Sequence, residues 1–166
     1  MKKTIAVRCV LGVLILLNLW MIGGFSSQSA EDSGKTSEKV IRPVAQVVVK
    51  DFETKTEAEQ NSIISDMQLP VRKLAHMTEF GTLGMLIFLL LRTWNFSLPR
   101  CGLGAMLGAL ICASADELHQ YLAQQGRSGK VTDVLIDCAG ALIGCLVVWG
   151  ILLLVRYLQK RKQKAE

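Results

Sequence analysis

Four stretches of the chain, about residues 5–25, 71–92, 101–122 and 133–155, are apolar over the ~20 residues that a helix needs to cross a bilayer. Their apolar residues fall on every helical face, whereas a helix of a soluble bundle keeps one charged face. The pattern predicts an all-α, polytopic membrane protein with four transmembrane helices, TM1 to TM4, forming one domain over residues 1–166. Residues 26–69, between TM1 and TM2, change character. Acids and bases mix there, and after Pro43 the residues Val44, Val47, Val48 and Phe52 recur at i, i+3, i+4 and i+8. That spacing predicts an extracytoplasmic amphipathic linker, helical and lying on the membrane surface or capping the bundle. Residues 31–42 read equally well as a partly ordered connection. Pro70 suits the first turn of TM2, where its missing N–H costs nothing.

TM1 follows Lys2-Lys3 and ends before Ser26-Ser27-Gln28-Ser29-Ala30. A leader cleaved after Ala30 is the competing reading, but the apolar run is longer than a usual leader's and Gln28 is poor near a cleavage point. We therefore expect a retained helix. TM3 opens with Gly102, Gly104, Ala105, Gly108, Ala109, Cys112 and Ala113, and Gly140 and Gly144 continue the pattern in TM4. Small residues at this spacing let backbones approach closely, and they predict TM3 as the central helix. Thr132 is placed to cap TM4.

The net charge of +5 changes the picture little, because the basic residues form no nucleic-acid patch. They gather at membrane edges: Lys2 and Lys3, Arg92 and Arg100, then Arg156, Lys160, Arg161, Lys162 and Lys164 in the tail 156–166. This density predicts a multi-pass protein of the cell membrane with both termini cytoplasmic. The expected partner is the lipid bilayer, and no nucleic acid. Cys9, Cys101, Cys112, Cys138 and Cys145 lie in or beside apolar runs, which predicts packing residues rather than a disulfide framework.

Candidate chemistry comes from the polar residues that interrupt the apolar runs, where a charge costs roughly 2.5–3.5 kcal/mol near the bilayer centre. TM2 carries Arg72, His76 and Glu79 at i, i+4 and i+7. TM3 ends in Asp116-Glu117-Leu118-His119-Gln120, where Asp116, His119 and Gln120 share one face. TM4 opens with Asp133 and Asp137. With the termini inside, these groups, Ser26, Ser27, Gln28 and Arg127 all fall at the outer face, and the inner halves of the helices stay apolar. A one-sided polar chamber argues against an ion path, which needs groups through the membrane.

Three readings of the chamber stay open. Glu79, Asp116, Glu117, His119 and His76 could act in acid–base catalysis, with Arg72, Arg127, Gln120, Asp133, Asp137, Ser27 and Gln28 binding a ligand such as a phosphate. His76, Glu79, Asp116 and His119 could instead hold a divalent metal, since imidazoles and carboxylates at i, i+3 suit one. The third reading is a salt-bridge network that fixes helix packing.

These residues in this order resemble the VanZ-like membrane family: Phe25-Ser26-Ser27-Gln28, Arg72-Lys73 with His76 and Glu79-Phe80, Asp116-Glu117 with His119-Gln120, Gly126-Arg127, and Asp133 with Asp137 before Gly140. The departure is Gln124-Gln125 before Gly126-Arg127, where the family leads one to expect a proline. The resemblance implies a small protein of bacterial, often Gram-positive, envelopes. It also implies an association with low-level resistance to teicoplanin-type glycopeptides. The expected ligand is then an outer-leaflet lipid-linked or peptidoglycan-related group, bound or chemically altered. The alternative is a non-enzymatic accessory protein whose polar cluster is packing glue.

Overall fold

The computed structural model describes residues 2–123 and 130–164. Among them the chain forms five α-helices and a 3-10 turn: α1 Lys2–Ser26, α2 Ala30–Val48, the turn Phe52–Thr54, α3 Glu57–Arg92, α4 Leu98–Ala123 and α5 Val131–Gln163. Helices α1, α3, α4 and α5 are each long and apolar enough to span a membrane. Large apolar side chains such as Leu16, Ile111, Val131 and Leu135 stand on their outer surfaces. Such a surface is costly in water and suits lipid, so the chain is a multi-pass membrane protein.

Helix α3 starts well before Pro70, which therefore lies inside the helix and not in its first turn. At 1.5 Å per residue α3 is about 54 Å long, against a hydrocarbon core of about 30 Å, so its first turns project beyond the bilayer. They are started by a capping box. Thr56 Oγ1 accepts the Glu59 N–H at 3.3 Å, and Glu59 Oε2 accepts the Thr56 N–H at 2.9 Å. At α5 the cap falls on Lys130, with no side-chain capping bond, and Thr132 lies exposed in the first turn. The basic tail continues α5 as helix, and Lys160, Arg161 and Lys162 favour the negative end of its dipole.

The linker is helical too, including residues 31–42, and of its apolar series only Phe52 is buried. Ser33, Ser37, Ile41 and Ala45, at successive four-residue steps, are buried against the projecting turns of α3, with Phe52 and Ile64 beside them. Val44, Val47 and Val48 face outward, Val47 being 86% exposed. The inward row is short-sided apart from Ile41, and a Cβ on Gly34 would make ordinary contact with the Gln68 side chain.

The central helix is α3, not TM3 as the glycine pattern predicted. It packs against α1, α2, α4 and α5. Its closest crossing is with α5. A Cβ on Gly84 would stand 2.7 Å from the Ala141 carbonyl oxygen, and one on Gly140 or Gly144 would run into the carbonyl of Met77 or Gly81. By contrast, Gly104 and Gly108 of α4 meet only the side chains of Leu91 and Ile87. Helix α4 buries an alanine row, Ala105, Ala109 and Ala113, that leads straight to Asp116, Glu117 and Gln120. At the opposite end, Arg8 Nε donates to Thr93 Oγ1 at 3.0 Å and the guanidinium lies 4.2 Å over the Trp94 ring. This ties α1 to the α3–α4 connection. The five cysteines are free, with Cys101 and Cys145 packed in the core.

Candidate functional site

Three helix ends meet where α1 finishes, α4 finishes and α5 starts, beside the middle of α3. The periodicity of α1 that buries Ile22 also buries Ser26, one turn on. Ser26 Oγ donates to Asp116 Oδ2 at 2.6 Å, and Gln120 Nε2 donates to the same oxygen at 2.9 Å and to Ser26 Oγ at 3.2 Å. Two buried side chains thus close on one buried carboxylate oxygen. Glu117 Oε2 accepts the backbone N–H of Lys130 at 2.8 Å, which joins the end of α4 to the start of α5. Lys73 Nζ lies 3.1 Å from Asp133 Oδ1, a half-exposed pair linking α3 to α5. Asp137 is 2% exposed. It borders a small space of about 50 Å³ with Arg72, Lys73, His76, Glu117 and Gln120.

Arg72 and His76 also border a second space. This cavity of about 230 Å³ lies between the end of α1, helix α2 and α3, walled by Phe25, Gln28, Ser33, Ser37, Arg72, His76 and Glu79. His76 Nδ1 is 3.7 Å from Glu79 Oε2, near enough for a charge contact and too long for a hydrogen bond. Arg72 Nε and Glu79 Oε2 are buried without a hydrogen-bond partner among the described residues. A buried polar atom left so costs about 1–3 kcal/mol.

Two of the predicted residues turn away from both spaces. His119 is exposed, as is Ser27, whose hydroxyl donates to the Gly23 carbonyl at 2.6 Å. Both border an open groove between α1 and α4 with Trp20 and Cys112. The inward face of α4 therefore holds Asp116, Glu117 and Gln120, without His119. Arg127 and Gly126 lie outside the described residues. Ser33, Ser37 and the buried Asn18 escaped the sequence analysis, and Ser26 entered it only as part of the Ser26–Gln28 group. Each stands in phase with apolar neighbours, Ser26 with Ile15, Leu19 and Ile22, and the two serines of α2 with Ile41 and Ala45; that periodicity was the available signal.

The four metal candidates do not form one donor set. His76 and Glu79 border the cavity under α2, Asp116 is engaged by Ser26 and Gln120, and His119 points outward. Among the described residues no three His, Cys, Asp or Glu side chains are placed to hold a metal ion together. What the arrangement supplies is a guanidinium for an anion, with an imidazole and a carboxylate beside it that can carry a proton.

No curated protein and no solved structure is similar enough to count as a match. The family comparison does give one, from residue 11 in α1 to residue 155 in α5, so that it takes in both spaces and all four spanning helices. By that match the chain belongs to the VanZ/LLP1 family.

Proposed function

We propose that this envelope protein binds a phosphate-bearing, lipid-linked or cell-wall-related ligand in the cavity under α2. The polar end of the bundle faces outward and both termini lie in the cytoplasm. Arg72 holds the anion, Gln28 and the serines of α2 add hydrogen bonds, and His76 with Glu79 provides a proton carrier next to it. The observation that supports this reading is the cavity itself, a largely apolar space with one guanidinium and one carboxylate whose buried Nε and Oε2 have no hydrogen-bond partner among the described residues. The orientation rests on the density of Lys and Arg at the other membrane face. The family is associated with teicoplanin-type glycopeptide resistance, and an outward site would lie at the face such an antibiotic meets first.

A second reading has its own support. The Ser26–Asp116–Gln120 contacts use their polar atoms on one another, as packing glue would. The two readings divide the residues between them, so Asp116 and Gln120 hold helices while Arg72, His76 and Glu79 serve the ligand. The test is teicoplanin susceptibility of a Gram-positive host carrying wild type, Arg72→Gln, Glu79→Gln or His76→Ala, with membrane abundance and thermal stability measured alongside. We expect the three variants to lose the protection given by wild type at unchanged abundance. Full protection by all three would leave packing as the better account.

A further inference from the structure

The cavity under α2 is not closed toward the lipid. Below it a groove of about 840 Å³ runs down the seam between α1 and α3, bordered by Leu14, Leu17 and Met21 on one side and by Leu74 and Leu86 on the other. Cavity and groove share one strip of α3, formed by Val71, Ala75 and Glu79. A ligand can therefore enter sideways from the membrane. The groove extends from Val71 to Leu86, about 22 Å at 1.5 Å per residue, which exceeds the ~15 Å half-thickness of the hydrocarbon core. Apart from Asn18 and Glu79 its lining is apolar in effect, even at the threonines. Thr78 and Thr82 donate their hydroxyls to the carbonyls of Leu74 and Thr78 within α3, which leaves their methyls for an incoming chain.

The upper end has the charge pattern that selects a headgroup. Arg72 and Glu79 stand two helical turns apart on the cavity wall, opposite in sign, with His76 between them 3.7 Å from Glu79, and no ion pair joins Arg72 to Glu79 among the described residues. A purely anionic headgroup would answer Arg72 and be repelled by Glu79, and a purely cationic one the reverse. A phosphodiester that carries a primary amine answers both. We propose that cavity and groove together seat one amine-bearing phospholipid, its phosphate at Arg72, its ammonium at Glu79 and one acyl chain along the α1–α3 seam. This names the ligand class of the site proposed above and rests on that reading.

The test uses full-length protein in nanodiscs of equal phosphatidylethanolamine and phosphatidylglycerol, with retained lipid counted by native mass spectrometry. Wild type should keep one phosphatidylethanolamine in preference. Filling the groove with Ala75→Trp, or from the opposite wall with Leu17→Trp, should lower its retention about tenfold, the scale of burying about two methylenes of an acyl chain. Both positions are exposed to the lipid side, so either variant can fold without the other. Glu79→Gln should shift the preference toward phosphatidylglycerol. Equal retention of the two lipids by wild type, or retention untouched by both tryptophans, overturns the proposal. If that result comes with loss of protection in Arg72→Gln and Glu79→Gln, only the lipid assignment fails. Selective retention with full protection in those variants would instead overturn the functional reading and leave the lipid seat standing.

Discussion

Asp116 is a carboxylate near the end of a membrane helix, and what makes it tolerable is the company that converges on it. One of its oxygens receives a serine hydroxyl from α1 and an amide from the next turn of α4. Inside a membrane such interhelical bonds contribute about 0.6 kcal/mol on average and about 1.7 at most, since the separated helices also find partners. A double-mutant cycle of Ser26→Ala with Asp116→Ala, read by unfolding in mixed micelles, should give a coupling in that range. A coupling of zero would mean that the contact does not hold α1 in place. Glu79 differs in kind, because its buried Oε2 has no hydrogen bond to lose among the described residues. Its substitution should alter binding more than stability.

At the scale of elements, α3 organises the molecule through its crossing with α5. Gly81, Gly84, Gly140, Ala141 and Gly144 bring two backbones together so closely that Cβ atoms become obstacles. Gly140→Leu should destabilise the bundle by at least the ~1–3 kcal/mol typical of overpacking. Gly12→Ala, at a glycine of α1 with nothing within 4 Å, should be neutral or slightly stabilising. Equal effects from the two would show that the crossing is looser than its glycines suggest. Helix α2 likewise turns small residues, Ser33, Gly34 and Ser37, toward α3 and leaves Val44, Val47 and Val48 exposed. The cavity exists because this short-side-chain face leaves room over Arg72.

For the whole molecule the decisive question is which end faces out. With termini in the cytoplasm, a fluorescent protein fused after Lys164 should fold and fluoresce, and alkaline phosphatase inserted at Lys50, between α2 and the 3-10 turn, should be active. The opposite pair of results would invert the membrane orientation and remove any role at the outer surface. An α1 released from the bundle would not satisfy the contacts seen at both its ends, Arg8 with Thr93 and Trp94 and Ser26 with Asp116.

Hydropathy by itself determined the four spans and the gathering of polar groups at one end. Length and composition decide what a bilayer accepts, and alternating topology brings the ends of TM1 and TM3 beside the starts of TM2 and TM4. The family motifs were likewise legible, being local strings of residues. Which face of each helix turns inward was not, because a helix that is apolar all round carries no signal of its own orientation. Only packing put Ser26 rather than Ser27, and Glu117 rather than His119, on the inner side. Only packing made α3 the centre, since close backbone approach needs small residues on both partners and a sequence shows them one helix at a time. The space under α2 is likewise a product of tertiary structure, formed where a row of serines, unremarked in the chain, meets the arginine of another helix.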